Sequence, residues 1–263
     1  MDLGLKGRVA IVAAASSGLG KASALELANE GASLVISARN EARLNAAAEE
    51  ICGSTGVEVL AVPSDVTSSD DVQQLVSAAI SRFGRVDILV ANAGGPPAGF
   101  FDDFALQDYR DAIELNLLST VNLCKAVVDH MRERHWGRIV AITSIAVKQP
   151  VENLILSNTA RAGLAGFLKT LSQQVASYAI TVNTVCPGYH LTDRLKQVGS
   201  HLAKKDGVAV EEIYSRWASD NPMRRIGEPR ELSALVAFLC SERASYITGT
   251  VTQVDGGAYR GLL

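Results

Sequence analysis

The chain has 263 residues, 48% of them hydrophobic and 20% charged, with a formal net charge of −3 at pH 7. That is enough apolar material for one large core. The near-neutral balance gives no electrostatic basis for binding nucleic acid or an anionic membrane, and no apolar run approaches the length of a bilayer span.

Short apolar runs alternate with longer helix-period segments. Residues 8–13 read as a buried strand, 21–29 as a helix stopped by Gly31, 33–37 as a second strand and 41–51 as a helix rich in Ala and Glu. A third strand over 57–62 precedes a helix over 70–83, with Ser68 or Ser69 placed to cap it. The fourth strand is 87–91, followed by one long helix over 108–134 and a fifth strand over 138–143. A second long helix over 154–178, a sixth strand over 181–185, a helix over 231–241 and a strand over 251–254 complete the pattern. Seven apolar runs separated by helices predict an α/β, doubly wound, Rossmann-type fold, with a mainly parallel sheet covered on both faces. Residues 1–263 are expected to form a single domain. One polar stretch, at about 191–222, breaks the rhythm and carries Tyr214 and Trp217, and it reads as a substrate lid.

Cys52, Cys124, Cys186 and Cys240 lie far apart, with no CxxC pair and no His/Cys cluster at metal-ligand spacing. They read as buried free thiols, no metal is expected, and the cytoplasm is the natural compartment. Residues 1–8 lead directly into a strand and contain no signal-peptide apolar core.

The first strand runs into Ala13-Ala14-Ala15-Ser16-Ser17-Gly18-Leu19-Gly20 and then a helix. A strand–turn–helix of this kind aims backbone N–H groups and the positive helix end at a phosphate. Gly18 and Gly20 let the backbone approach a pyrophosphate because no Cβ intervenes, and Ser16 and Ser17 add hydroxyl donors.

The pattern resembles the short-chain dehydrogenase/reductase family, nearly end to end from Leu5 to Gly257. The glycine turn is similar to that family's TGxxxGxG. Asp65, followed by Val66, matches its adenine-contacting aspartate, and Asn92-Ala93-Gly94 its NAG turn. Asn116 matches the asparagine of the long helix, and Ser144 the catalytic serine after the fifth strand. Pro187-Gly188 with Thr192 matches the turn that grips the nicotinamide carboxamide, and Asp255-Gly256-Gly257 the C-terminal signature. Within the family the chain looks closest to 3-oxoacyl-(acyl carrier protein) reductases, as an atypical branch. The resemblance implies a nicotinamide cofactor, a small-molecule carbonyl or alcohol substrate and a homo-oligomer, dimer or tetramer.

Two departures stand out. Ala14 replaces the first glycine of the turn, and the family's YxxxK falls on Ser157 and Arg161. In the family, tyrosine gives a proton to the carbonyl oxygen, lysine binds the nicotinamide ribose, asparagine continues the proton path and serine hydrogen-bonds the substrate oxygen. Residues 157 and 161 are one helical turn apart and share a face. Ser157 has no accessible acid dissociation, and Arg161 holds its proton at biological pH. The expected result is an NADP-dependent oxidoreductase, carbonyl or 3-oxoacyl reductase-like, with a degenerate catalytic tetrad. The alternative is a non-catalytic dinucleotide-binding sensor or scaffold. Among other donors, His190 follows Pro187-Gly188 and titrates near neutrality, while Tyr189 and Lys148 lie beside site segments in sequence.

Strand two ends Ile36-Ser37-Ala38-Arg39-Asn40, without the carboxylate that pairs with the ribose 2′-hydroxyl of NAD. Arg39 and Ser37 are placed to meet a 2′-phosphate, so NADP is favoured over NAD. Gly94-Gly95-Pro96-Pro97 with Phe100-Phe101 suggests a stiff apolar rim, and Trp217, Met223 and Leu195 a lid lining, for a neutral or apolar carbonyl compound. Leu164, Phe167, Leu168 and Leu171 form an apolar stripe, facing either the chain's own sheet or a partner copy.

Overall fold

A computed structural model describes residues 2–262. Seven strands pair in the order β3-β2-β1-β4-β5-β6-β7, and every pairing is parallel. They are β1 (Val9–Val12), β2 (Ser33–Ala38), β3 (Val59–Pro63), β4 (Ile88–Ala91), β5 (Gly137–Ile142), β6 (Ile180–Pro187) and β7 (Val251–Val254). Apolar runs of this kind suit a sheet buried on both faces, and every residue of β1, β4 and β5 is buried. The helices are α1 (Gly18–Asn29), α2 (Glu41–Thr55), α3 (Ser69–Phe83), α4 (Leu106–Ile113), α5 (Ser119–Glu133), α6 (Ile155–Val175), α7 (Asp193–Asp206), α8 (Val210–Ser219) and α9 (Pro229–Cys240).

Two cores form, one on each side of the sheet. Leu27, Leu44, Ile51, Leu232 and Val236 bring α1, α2 and α9 onto one face. Leu75, Leu123, Met131, Leu164 and Leu168 bring α3, α5 and α6 onto the other. Strand order reverses between β1 and β4, so a crevice opens beyond their C-terminal ends, where such folds place ligands.

Local chemistry explains the element ends. Ser68 is the residue that caps α3, accepting from Asp71 N at 3.2 Å. Asn40 caps α2 by accepting from Arg43 N at 2.9 Å. The helix expected over 108–134 is interrupted: α4 and α5 are joined by a π-helical turn, Glu114–Leu118. An extra residue in a helical turn leaves no trace in hydrophobic periodicity, and such bulges gather at functional sites.

Other expectations change as well. Cys52 is exposed, while Cys124, Cys186 and Cys240 are buried, because Cys52 sits on the outer side of α2. Leu164 and Leu168 are buried against the chain's own sheet, and Phe167 and Leu171 pack partly against the same core. The stripe therefore serves the subunit itself. The polar stretch after β6 is built from α7 and α8 around Ala203, Ile213 and Trp217. Trp217 stacks between Tyr189 and Tyr214, with centroids 5.2 and 5.8 Å away, so it holds this unit together and is not free to line a pocket. Among the described residues no helix is long and apolar enough to cross a membrane, and no His/Cys/Asp/Glu group is arranged to hold a metal.

Candidate active site

The turn after β1 carries the glycine motif into α1. Gly18 has φ +59°, a left-handed conformation, and Ala14 adopts φ +51° in the place where the family motif has glycine. Ser17 caps α1 without a side-chain bond, and no acidic residue lies in the first turn. The first-turn N–H groups and the helix dipole therefore remain available to an anion.

Beyond the turn lies a cavity of about 500 Å³ at the β1–β4 crevice. Ala14, Ser16, Ser17, Gly18 and Leu19 form one wall. Arg39, Asp65, Val66, Asn92, Ala93 and Gly94 form the others, and Thr192 closes the far side. The Thr192 methyl sits 3.5 Å from where a Gly18 Cβ would lie, and its hydroxyl accepts from Leu195 N at 3.3 Å to cap α7. Asp65 is fixed by Thr67: the backbone N–H donates to it at 3.0 Å and the hydroxyl at 2.8 Å. These bonds, with the charge of Arg39 behind them, hold its carboxyl below the usual range against the opposing effect of burial.

Two residues of the motif stand elsewhere. Gly20 lies behind the turn, where a Cβ would come within 2.4 Å of Ala14 O and 2.8 Å of Asn92 Nδ2. Its role here is close helix–turn packing. Ser37, expected to reach a phosphate, is fully buried inside β2 with its hydroxyl unpaired. The alternation of a strand turned it inward. Arg43 and Arg194 line the cavity instead. Neither belongs to the glycine, NAG or YxxxK motifs, although Arg194 lies only two residues beyond Thr192.

Asn116 lies in the π turn and is tied to the cavity wall. Its Nδ2 donates to Gly94 O at 2.8 Å, and its buried Oδ1 has no partner. Ser144 stands at the end of β5, and its hydroxyl accepts from Ala146 N at 3.1 Å. Pro187 ends β6, and Gly188 passes so close to Asp255 that a Cβ would meet its Cα at 2.8 Å. Neither Pro187 nor Gly188 reaches the 500 Å³ cavity.

Ser157 and Arg161 are both buried on α6, and Arg161 Nε donates to Ser157 Oγ at 3.2 Å. Burial pushes the Arg161 guanidinium down to about 10, and the neighbouring Cys186 opposes this. The group stays protonated at neutral pH. It makes no ion pair among the described residues.

His190 points elsewhere. Its Nδ1 lies 3.2 Å from Gly188 O, and its ring packs against Gly227. It lines a separate cavity of about 490 Å³ with Asn221, Arg225 and Glu231. Burial lowers its proton affinity.

An anion cradle at a sheet switch point, with an asparagine bonded to its Asn92-Ala93-Gly94 wall, is the architecture of a dinucleotide-dependent oxidoreductase. The family model described as Enoyl-(Acyl carrier protein) reductase matches residues 13–259. The 3-oxoacyl-[acyl-carrier-protein] reductase FabG of Aquifex aeolicus is 33% identical over 98% of this chain and 100% of its own length. The 7alpha-hydroxysteroid dehydrogenase of Escherichia coli is 34% identical over 99% and 98%. L-sorbose reductase from Gluconobacter frateurii, solved with NADPH and L-sorbose, superposes with a TM-score of 0.96 at 36% identity, covering both chains fully. The chain belongs to the short-chain dehydrogenase/reductase family, whose members are NAD(P)-dependent oxidoreductases.

Proposed function

We propose that this protein reduces a small-molecule carbonyl compound with NADPH, or runs the reverse alcohol oxidation. The observation that carries this reading is the cavity at the β1–β4 crevice, whose free helix N-terminus and three arginines, Arg39, Arg43 and Arg194, suit a diphosphate and a 2′-phosphate. The residues present fit the cofactor. The left-handed turn and the missing Cβ of Gly18 leave room for a phosphate beside Ser16, Ser17 and Leu19. Asp65, Val66, Asn92, Ala93 and Gly94 would hold the adenosine half, and Thr192 closes the far side of the same cavity. Arg161 would meet the ribose hydroxyls, and Pro187 and Gly188, which stand outside this cavity, would meet the carboxamide beyond it. The bound cofactor supplies hydride. Ser144 Oγ hydrogen-bonds the substrate oxygen, Asn116 holds the polar path behind it, and Ser157 keeps Arg161 in place.

The unit over 191–222 acts as the lid of a single domain 1–263. Exposed Phe100 and Phe101 supply an apolar rim for a neutral or apolar carbonyl compound. The relatives named above are enzymes, and none of them supports a non-catalytic sensor or scaffold. Exposed Ala162, Gly163 and Gly166 on α6 leave a smooth face for a second copy, in keeping with a homo-oligomer, dimer or tetramer, in the cytoplasm. Calorimetric titration with NADPH and NADH, followed by turnover on ketones, hydroxyketones and β-ketoesters, tests the reading. NADPH is expected to bind at least about tenfold more tightly than NADH, one paired phosphate being worth roughly 1.5–3 kcal/mol. Absence of binding by either coenzyme at millimolar concentration refutes the reading.

A further inference from the structure

Reduction of a carbonyl needs a proton as well as a hydride, and α6 carries no group that gives one up. Ser157 is an alcohol, and Arg161 keeps its proton at neutral pH. We propose that Lys148 donates this proton, so that the acid missing from α6 is supplied by the turn after β5. This rests on the reductase reading above.

Three observations place the ammonium. Ser144 opens the three-residue turn Ile145–Val147, and Lys148 closes it, its N–H donating to Ile145 O at 2.9 Å. Only the three residues of this turn separate Ser144 from Lys148. Secondly, the Cys186 thiol marks a point shared by the whole group. It lies 3.2 Å from Thr143 Oγ1, receives the Ser144 N–H, and feels the charges of both Lys148 and Arg161. Thirdly, Lys148 Nζ stands 5.4 Å from the centre of the Tyr259 ring. Tyr259 is itself fixed, its N–H donating to Asp255 Oδ2 at 2.8 Å. Asp255 abuts Gly188, whose N–H donates to Val254 O at 3.0 Å. Lys148 therefore stands among Ser144, Cys186 and the Pro187-Gly188 turn.

Its partners leave it available. Lys21 is the one lysine in an ion pair among the described residues, so Lys148 faces a ring and a neutral thiol with no carboxylate to hold its charge. The alternatives fall away: His190 is turned into another cavity, and Tyr189 is stacked on Trp217.

The step balances. As hydride reaches the carbonyl carbon from the dihydronicotinamide, which is oxidised, the carbonyl oxygen takes a proton from Lys148 Nζ. The N–H bond breaks, the O–H bond of the alcohol forms, and the neutral amine regains a proton from water.

The test compares native protein with Lys148→Met, Lys148→Arg and Lys148→Ala, each checked by calorimetric NADPH titration and by turnover. Lys148→Met and Lys148→Arg are expected to bind NADPH within about threefold of native and to lose about 10²–10⁴-fold in kcat, the range of a positioned acid. Methylamine or ammonium added to Lys148→Ala should restore rate in proportion to amine concentration, which a merely structural lysine does not allow. NADPH together with an unreactive substrate analogue should protect Lys148 from reductive methylation, read by mass spectrometry. An active native enzyme with full activity in Lys148→Met, loss of NADPH binding alongside activity, or no amine rescue overturns this inference and spares the reductase reading. A native protein that binds NADPH and reduces nothing overturns both.

Discussion

Replacement of Gly20 by alanine tests how tightly the first turn packs against α1. The new Cβ would lie 2.4 Å from the backbone oxygen of Ala14 and 2.8 Å from Asn92 Nδ2, whereas ordinary contact begins near 3.4 Å. The shortfall is about 1 Å against backbone, which cannot rotate away as a side-chain tip does. The N-terminus of α1 must then back off from β1, or the turn must open. Overpacking of this kind costs about 1–3 kcal/mol. At the middle of that range, roughly 2 kcal/mol, a chain of this size loses about 4–8 °C in Tm. The same displacement moves the first-turn N–H groups away from the phosphate position. Loss of one charge-assisted bond, about 1.5–3 kcal/mol, weakens NADPH at least about tenfold. Gly18→Ala is the contrast. Its Cβ would rest 3.5 Å from the Thr192 methyl, so stability loses only what the left-handed φ of +59° costs, about 1–2 kcal/mol, while the added methyl crowds the phosphate position. Thermal unfolding by circular dichroism and calorimetric NADPH titration measure both effects. A Gly20→Ala protein within 1 °C and twofold of native would refute the packing argument.

Further outcomes follow from other sites. Arg161→Met removes a buried charge that has only a serine for company, so stability should hold or rise by about 1–3 kcal/mol while NADPH binding weakens; a large loss of Tm contradicts this. Asp87 is fully buried, accepts Val9 N at 2.9 Å and pairs with Arg85 at 2.5 Å, so Asp87→Ala should cost about 2–4 kcal/mol in urea unfolding. Asp87→Asn, which keeps an acceptor for Val9, should cost less, and equal losses would show that the backbone bond is irrelevant. Burial lowers the proton affinity of His190 in the folded state, so the unfolded chain binds the proton first. The stability from this group is present above about 6.5 and lost as pH falls below it. His190→Gln should flatten that fall between pH 7.5 and 5.5, and an unchanged slope rules the residue out as its source.

Much of this protein was legible in its linear order. Strand and helix runs repeat with a period that chemistry imposes, so seven apolar runs from Val9 to Val254 announced a parallel sheet covered on both sides. The glycine turn was readable because a strand followed by Gly18 and a helix leaves few backbone paths, and Asn40 and Ser68 cap helices by rules that act over three residues. The replaced pair, Ser157 and Arg161, was visible once the resemblance fixed where the family's YxxxK falls. What lay beyond reach depends on contacts between distant segments. Only tertiary packing put Gly20 behind the turn, buried Ser37, aimed His190 into a separate cavity and drew Arg43 and Arg194 to the cofactor crevice. The π turn that presents Asn116 came from one extra residue in a helix whose apolar rhythm hardly registers it. Lys148 beside Tyr259 is the clearest case. The two are 111 positions apart in sequence, and they meet because Asp255 folds the end of the chain back against Gly188. A local pattern determines which conformation a segment prefers. Which side chains share a cleft is decided by how the sheet brings the ends of its strands together.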